Sequence, residues 1–333
     1  MLRYVSCVAP TGRGNLWRSV PRGVFFHGRA RSHRRVLAAA TLLLSPVVES
    51  RGHGRADPTL IVRGNEACWG LQGPIGPASV YAQQREHTLE VKIWGADASW
   101  LQTQVRALFG LQDDPSQFVP QHPRVEQLAR RFAGMHLVKA PRFDARLCQV
   151  VLLQLVSWHD AICAWRALVG HAGEPALGIR QLRCPPRLAV LSKLPVARLV
   201  AFGMPYQHAH TLLVVAHDRR LLERIAALAP SAAVEVLQQI RGIGPWTANY
   251  VLGTAASYAD AVLTGDLHLP NAVAWMLNDE ARADDARMLD LLEPFRSHRF
   301  RIVRYLWASG AHAPRRGARL DRSTLGHAQA RRM

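Results

Sequence analysis

The sequence predicts an α+β protein in which a small antiparallel β-sheet precedes a larger, mostly α-helical region. Apolar and polar residues alternate over residues 89–94, and two glycine-proline pairs between residues 73 and 77 mark turns. From Ser99 onward the apolar residues recur at helical spacing, and this pattern continues through most of the chain.

Three strands and a series of helices follow from these patterns. One strand is expected at 60–69, where Leu60 and Val62 precede an apolar run, and two more at 78–82 and 89–94. Prolines separate most of the helical stretches, because proline is not accommodated in a helix interior. The expected helices span 147–169, 196–202, 207–217, 218–228, 232–240, 246–257, 267–277, 286–292 and 299–308.

The chain divides into four expected regions. These are a loose basic segment at 1–55, an α+β domain at 56–123, an all-helical domain at 124–312 and a basic tail at 313–333. Residues 1–55 contain ten arginines and a single acid, Glu49. The apolar run at 36–48 leaves three interpretations open: a targeting signal, a first element of the fold, or a start codon placed too early. The run is too short to span a bilayer as a helix.

Charge and composition restrict the class of protein. The 333 residues carry a formal net charge of +18. A protein this basic favours a polyanionic partner, either nucleic acid or an anionic membrane surface. The five cysteines are scattered without a Cys-x-x-Cys pair, which argues against a disulfide framework, a zinc site and an iron–sulfur cluster. Reduced thiols in a cytoplasmic protein are therefore expected.

The most informative segment is residues 237–248, with the sequence LQQIRGIGPWTA. Gly242 and Gly244 permit a tight hairpin between two helices, and Pro245 suits the first turn of the second helix. The N–H groups at that helix N-terminus remain free to bind an anion, which in a basic protein indicates a DNA phosphate. A purely structural hairpin is the alternative. The expected phosphate-binding residues are Gly242, Ile243, Gly244, Trp246 and Thr247.

Together with three further segments, this hairpin resembles the helix-hairpin-helix (HhH-GPD) superfamily of DNA glycosylases, in particular the DNA-3-methyladenine glycosylase II type. The three segments are QLVS at 154–157, DAVLTGDL at 260–267, and PFRS at 294–297 with YLW at 305–307. They follow one another in the order of the family. The resemblance implies the fold of that superfamily, with the β-rich region as its extra N-terminal domain, and implies excision of damaged bases from DNA.

The resemblance assigns catalysis to Asp266. Breaking an N-glycosidic bond builds positive charge on the sugar, and a fixed carboxylate stabilises that charge and can activate the attacking water. The other role open to Asp266 is capping the helix that follows it, and both roles can coexist. Asp260 is expected to be a cap or a supporting group. Pro270 departs from the family pattern, and a proline there could shift the Asp266 carboxylate.

Strand-nicking members of the superfamily place a lysine in the second hairpin helix, and the matching residue here is Trp246. The lysines of this chain are Lys92, Lys139 and Lys193, and none follows the last of these. Schiff-base chemistry is therefore excluded, and a monofunctional hydrolase without a cofactor is expected.

The resemblance implies 3-methyladenine and 7-methylguanine in DNA as substrates. These bases are cationic, and aromatic rings attract cations. Besides Trp246, the candidate pocket or wedge residues are Gln154, Leu155, Ser157, Trp158, Trp275, Phe295 and Tyr305. Leu155 resembles the wedge that fills the gap left by the flipped nucleotide, although each of these side chains could equally belong to the core. A monovalent cation held by the carbonyls of Gln238, Ile240 and Gly242 is also implied.

The expected partner is double-stranded DNA containing alkylated bases, bound by a cytoplasmic, nucleoid-associated monomer that does not engage a membrane. Two alternatives remain open. One is a catalytically silent DNA-binding protein, which Pro270 favours. The other is an exported or membrane-surface protein, which the arginine-rich start favours.

Overall fold

The computed structural model describes residues 32–38, 42, 44 and 56–314. It contains an antiparallel sheet and a large helical part, so the predicted α+β class is confirmed. The strands are β1 (Ser32–Ala38), β2 (Leu60–Arg63), β3 (Glu66–Gln72), β4 (Pro77–Arg85) and β5 (Thr88–Gly95). The helices are α1 (Ala98–Leu108), α2 (Pro123–Arg131), α3 (Phe143–Val151), α4 (Trp158–Ala172), α5 (Leu188–Leu191), α6 (Val196–Ala201), α7 (Tyr206–His217), α8 (Arg219–Ala227), α9 (Pro230–Gln238), α10 (Pro245–Ala255), α11 (Leu269–Asn278), α12 (Asp285–Leu292) and α13 (Arg299–Ser309), with a 3-10 turn at Glu293–Phe295.

The sheet has the strand order β1-β5-β4-β3-β2, with all neighbours antiparallel. The prediction of one strand over 60–69 is wrong, because the chain reverses there and Leu60 pairs with Trp69. The reversal occurs at Gly64, whose φ of 55° lies in the left-handed region that glycine adopts without strain. The apolar spacing continues across this turn, which is why the pattern resembles a single strand.

Strand β1 pairs with β5 along its whole length, with Ser32 opposite Trp94. The expectation of a loose segment at 1–55 is therefore wrong for residues 32–38. Pairing satisfies backbone groups of β5 that would otherwise form an open sheet edge. Leu42 and Leu44 are buried in the apolar cluster of the sheet, so the apolar run contributes to the fold, as one of the interpretations left open. The remaining residues of that segment lie outside the described residues, as does the predicted tail beyond residue 314.

Each face of the sheet carries its own apolar cluster. On one face, Leu101 and Val105 of α1 pack with Val80 and Val91 of the sheet. On the other face, Tyr81 and Trp94 pack with residues 176–184, a segment between α4 and α5. Both faces of the sheet are therefore covered by other segments. The candidate site lies in the helical part.

The helical part is built around two apolar cores. The first collects side chains from α3, α4, α7, α9 and α10, and the second collects side chains from α11, α12 and α13. Helix α10 lies between the two cores, since Trp246 and Tyr250 pack against both of them. The residues of α10 are therefore held from two sides.

The prediction of one long helix over 147–169 is wrong, because the structure contains α3 and α4 with a break at 152–157. Leu155 has a φ of 49°, which interrupts the helical path. Ser157 then caps α4: its Oγ accepts a hydrogen bond from the N–H of Asp160 at 3.1 Å and donates one to the Asp160 carboxylate at 2.6 Å. The left-handed Leu155 interrupts the first helix, and the Ser157 cap starts the second.

The other expected helices are present with small shifts at their ends. Within the described residues, no helix combines the length and the apolar character that crossing a bilayer requires.

Candidate active site

The hairpin between α9 and α10 is formed as the glycine spacing predicts. Gly242 has a φ of 89°, and a Cβ at this position would lie 2.0 Å from Oγ1 of Thr211. Glycine is therefore required at residue 242 by the fold itself. Ile243 is 4% exposed and fills the space between the two helices.

Gly244 differs from Gly242 in a way that bears on binding. Its φ of −91° and ψ of −179° are open to any residue, and a Cβ there would meet nothing within 4 Å. Gly244 is exposed and precedes Pro245, the first residue of α10. The fold does not require glycine at residue 244, whereas a molecule that approaches the backbone closely would. The N–H groups in the first turn of α10 point to the same side of the hairpin.

Asp266 lies directly beside this hairpin. Its Oδ2 accepts a hydrogen bond of 3.0 Å from the indole Nε1 of Trp246, the second residue of α10. Its Oδ1 accepts two further hydrogen bonds of 2.9 Å, from the backbone N–H groups of His268 and Leu269. The carboxylate thus holds the backbone at the start of α11, although the N-cap residue itself is His268, and it is simultaneously fixed against the hairpin helix.

The loop that carries Asp266 is held by a second carboxylate. The backbone N–H of Gly265, with a φ of 84°, donates a hydrogen bond of 2.7 Å to Oδ2 of Asp285 at the start of α12. Asp285 is not among the residues predicted from the sequence. Its role depends on the loop folding back onto α12, and no local pattern indicates this contact.

A row of aromatic rings extends from Asp266. The Trp246 ring contacts the Tyr250 ring edge-on at 5.1 Å, and Tyr250 contacts Trp307 at 5.7 Å. Trp307 is 39% exposed, so the row reaches the surface. Tyr250 and Trp307 were missed as pocket residues, although the spacing of four residues from Trp246 to Tyr250 on one helix indicates a shared face.

Arg146 of α3 lies behind the aromatic row. Its guanidinium is 5.5 Å from the centre of the Tyr250 ring and donates a hydrogen bond of 2.9 Å to Thr254 Oγ1. Burial lowers the pKa of the Arg146 guanidinium, and the adjacent Tyr250 opposes this effect. The buried cation supports Tyr250 from the core side.

The structure contradicts the prediction that Phe295 and Tyr305 line a base pocket. Both side chains are 4% exposed. Phe295 belongs to the second helical core, and the Tyr305 ring stacks on Phe132 at 6.3 Å. Aromatic residues at helical spacing are most often core residues, and these two follow that rule. Trp158 and Trp275 are half-buried, and their place in a pocket stays a prediction.

The break between α3 and α4 places its residues against the hairpin. Leu155 is 76% exposed at the tip of the break. The side chain of Gln154 donates a hydrogen bond of 2.9 Å to the carbonyl of Gly242 and one of 2.7 Å to Oγ1 of Thr247. The structure therefore brings Gln154 and Leu155 to the hairpin, while Ser157 serves as the cap of α4.

Asp260 is engaged in an ion pair and is not free for direct chemistry. Arg299 donates hydrogen bonds of 2.8 and 2.6 Å to its two oxygens. These bonds raise the pKa of the Arg299 guanidinium, and burial with the Asp260 charge raises the pKa of Tyr258. The expectation of a supporting role for Asp260 agrees with this pairing. Pro270 is the second residue of α11, where a backbone N–H needs no helical partner, and the hydrogen bonds from His268 and Leu269 to Asp266 form beside it.

Two carbonyls of the implied cation site already accept hydrogen bonds. The Ile240 carbonyl accepts one from the N–H of Ile243, and the Gly242 carbonyl accepts one from Gln154. Each carbonyl retains a second lone pair. The cation at Gln238, Ile240 and Gly242 stays a prediction.

A cavity of about 230 Å³ lies elsewhere in the molecule. It is lined by Asp113, Asp114, Lys139 and Ser257, among others. Neither the hairpin nor Asp266 contributes to its lining.

No family model matches this chain. A curated relative, the DNA-3-methyladenine glycosylase of Bacillus subtilis strain 168, is 25% identical over 191 residues, which are 56% of this chain and 63% of that protein. The match thus spans less than two thirds of the relative's length.

Two solved structures share the fold. The 3-methyladenine DNA glycosylase from Archaeoglobus fulgidus superposes with a TM-score of 0.72 at 17% identity and covers 83% of this chain and 98% of its own. The 8-oxoguanine glycosylase/lyase of Clostridium acetobutylicum, in complex with double-stranded DNA, gives a TM-score of 0.64 at 15% identity and covers 81% and 92%.

The chain therefore has the α+β fold of DNA glycosylases. The fold and the curated relative agree with the resemblance to DNA glycosylases that four sequence segments predicted.

Proposed function

We propose that this chain is a monofunctional DNA glycosylase that hydrolyses the N-glycosidic bond of alkylated purines, such as 3-methyladenine and 7-methylguanine. The observation that carries the proposal is the position of Asp266. Its carboxylate is held by the Trp246 indole and by two backbone N–H groups, directly beside the glycine hairpin.

The geometry of Asp266 suits hydrolysis of a glycosidic bond. A carboxylate offers roughly four lone-pair sites, and three are used in fixing its position. The remaining site can face the attacking water or the sugar. As the bond to the base breaks, positive charge grows on the sugar, and a carboxylate that is already oriented stabilises it without reorganisation.

DNA binding is supported by the hairpin and by the charge of the protein. The first turn of α10 offers backbone N–H groups, and Gly244 leaves the space for a phosphate to approach them. The net charge of +18 adds attraction for the DNA backbone at longer range. The hairpin would hold the backbone while the damaged nucleotide leaves the stack.

The preference for alkylated purines is supported by the aromatic row of Trp246, Tyr250 and Trp307. Electron-rich rings attract a cationic base, and such a base leaves as a neutral molecule without a strong general acid. The name of the Bacillus subtilis relative points to the same substrate class.

A lyase step is disfavoured by the residues themselves. Trp246 occupies the position of the lysine that strand-nicking relatives use, and no lysine follows Lys193. We accordingly propose that the protein acts as a monomer on cytoplasmic DNA and releases a free base without cutting the strand. The alternative of a silent DNA-binding protein rested on Pro270, which sits without conflict in the first turn of α11.

The test is base release from methylated double-stranded DNA, measured by chromatography for the wild type, Asp266→Asn and Asp290→Asn. Asp290 is an exposed aspartate of α12 and serves as the matched control. We expect methylated purines from the wild type and from the control, and none from Asp266→Asn, which should still bind DNA.

A duplex with 8-oxoguanine, the substrate named for the Clostridium relative, tests the substrate class. Release of that base, or strand cleavage, contradicts the proposed specificity and chemistry. Full release by Asp266→Asn contradicts the role of Asp266, and binding without release by the wild type favours the silent protein.

A further inference from the structure

Gln154 connects two elements that are far apart in the sequence. Its side-chain amide donates to the Gly242 carbonyl at 2.9 Å and to the Thr247 hydroxyl at 2.7 Å. Gly242 lies at the beginning of the hairpin turn, and Thr247 is the third residue of α10. One amide group therefore spans the hairpin from one side to the other and uses both of its N–H donors or one shared donor in doing so.

Leu155 directly follows this amide and has unusual geometry. Its φ of 49° lies in the left-handed region, which is disfavoured for a side chain of this size. It is also 76% exposed, although leucine is an apolar residue that normally becomes buried. An exposed leucine in a disfavoured conformation persists only when its surroundings fix it, and such positions concentrate at functional sites.

We propose that Gln154 is a positioning residue that holds Leu155 at a fixed distance from the phosphate-binding hairpin, so that Leu155 enters the duplex when the hairpin engages the backbone. This inference rests on the proposed function, because it concerns how the damaged nucleotide leaves the stack. Gln154 contacts neither the base nor the sugar in this assignment.

The physical reason is that the wedge and the hairpin contact the DNA at two different points, and the distance between these points must be fixed. The hairpin determines where the DNA backbone sits, and the wedge must then meet the stack at the position of the damaged base pair. The break at 152–157 joins two helices and could move relative to the hairpin. Two hydrogen bonds from one side chain to both sides of the hairpin remove that freedom before DNA binds, and preorganisation of this kind improves binding without new contacts.

The interaction also explains why the amide, and not a charged group, is suited to residue 154. The Gly242 carbonyl is an acceptor and needs a donor opposite it, whereas a carboxylate there would face that carbonyl as a second acceptor. Gln154→Leu therefore removes both hydrogen bonds, and Gln154→Glu removes the one to the Gly242 carbonyl, because a carboxylate has no N–H to donate.

The experiment compares two substrates that carry the same methylated base. In one the base is paired in a duplex, and in the other it lies unpaired in a bubble, where little extrusion is needed. We expect Gln154→Leu to lower single-turnover release from the paired substrate by about tenfold to a hundredfold, because it removes two hydrogen bonds at once. Release from the bubble should stay within about twofold of the wild type, because Asp266 is untouched.

Three further variants separate positioning from general damage. Gln104→Leu makes the same chemical change at a half-buried glutamine of α1, whose amide donates a hydrogen bond to Thr103, and should leave both substrates unaffected. Thr247→Val removes one of the two acceptors and should give a smaller loss than Gln154→Leu. In a Leu155→Ala background, Gln154→Leu should have almost no additional effect, because both changes disable the same step.

Extrusion is also measured without chemistry, by the fluorescence of 2-aminopurine placed opposite or beside the damaged position in the bound complex. The wild type and Gln104→Leu should show the increase that accompanies unstacking, and Gln154→Leu and Leu155→Ala should not. Thermal unfolding of each variant identifies any that fail to fold.

The outcomes distinguish this inference from the proposed function. Equal losses on paired and unpaired substrates, or a full effect of Gln154→Leu in the Leu155→Ala background, would overturn the positioning role. If the wild type releases no base but the fluorescence signal depends on Gln154, the glycosylase proposal fails while the positioning of Leu155 stands. If the signal is also independent of Gln154, both fail.

Discussion

The indole Nε1 of Trp246 donates a hydrogen bond of 3.0 Å to Oδ2 of Asp266 and thereby joins the hairpin helix to the loop that precedes α11. The two residues are twenty positions apart in the sequence. Under the proposed function, this bond couples the position of the carboxylate to that of the hairpin. Four predictions follow from this contact and from three other features.

Trp246→Phe keeps an aromatic ring and removes the donor. A hydrogen bond to a charged group contributes about 1.5–3 kcal/mol, so we expect a loss of roughly tenfold to a hundredfold in the rate of base release. DNA affinity should change little. The measurement is single-turnover release beside a binding titration, with Trp100→Phe in α1 as the control. An unchanged rate would show that the indole does not orient Asp266.

Asp285→Ala removes the acceptor that holds Gly265. The loop before Asp266 then becomes more mobile, and a misplaced carboxylate reacts more slowly. We therefore expect about a tenfold loss in the rate of base release. Asp285→Asn keeps an oxygen that can accept from the same N–H and should retain most of the activity. Equal rates of base release for Asp285→Ala, Asp285→Asn and the wild type would contradict a positioning role for Asp285.

The two hairpin glycines should separate folding from binding. Gly242→Ala forces a side chain into a φ of 89° and against Thr211, so we expect a loss of about 2–4 kcal/mol in the free energy of unfolding. Gly244→Ala meets open space and should leave that free energy nearly unchanged. It should instead weaken DNA binding, because its methyl group occupies the side from which a phosphate approaches. Urea unfolding and binding titrations check both parts, and equal DNA affinity for Gly244→Ala and the wild type would contradict the role of the hairpin.

The stability of the protein should decrease on mild acidification. His208 of α7 is 7% exposed, and burial lowers its pKa below the ordinary value of about 6.5. The folded state therefore binds fewer protons than the unfolded state as the pH falls. The contribution to stability is complete above about pH 6.5 and is lost progressively as the pH falls from that value through the lower folded pKa.

Urea unfolding between pH 8 and pH 5 measures this slope. His208→Leu should reduce it, while His298, whose pKa is lowered by burial and by Arg301, maintains part of it. The range stays above the region in which Asp113 titrates. Burial raises the pKa of Asp113, but the nearby His136 and the two hydrogen bonds from Arg301 outweigh this and hold the pKa well below its usual range. Identical slopes for His208→Leu and the wild type would exclude His208 as a contributor.

The local features of the site could be predicted from the sequence, and the reason is that they depend on neighbouring residues. Gly242 and Pro245 favour a hairpin by backbone preference alone, and Asp266 bonds the backbone N–H groups at the start of a helix that begins three residues later. The helix ends between 196 and 309 follow from proline positions and apolar spacing in the same way.

The features that were missed depend on contacts between distant segments. Leu155 lies in an apolar stretch with helical spacing, and only its surroundings in the folded chain place it in a left-handed conformation. Asp285 and Trp307 belong to helices that come later in the sequence and pack beside the site. Residues 32–38 form a strand because they pair with the edge of β5. Phe295 and Tyr305 were predicted as pocket residues from a sequence motif, but both pack in the apolar core.

The pairing of β1 with β5 determines where the protein can be shortened. A polypeptide that starts at residue 56 would lack Ser32–Ala38 and also Leu42 and Leu44. The edge of β5 would then be unpaired, and part of the apolar cluster of the sheet would be exposed to solvent. The alternate N–H and C=O groups of β5 that now bond β1 would then be open to any neighbouring molecule. Such a trimmed protein is expected to precipitate or self-associate, although everything that surrounds Asp266 would still be present.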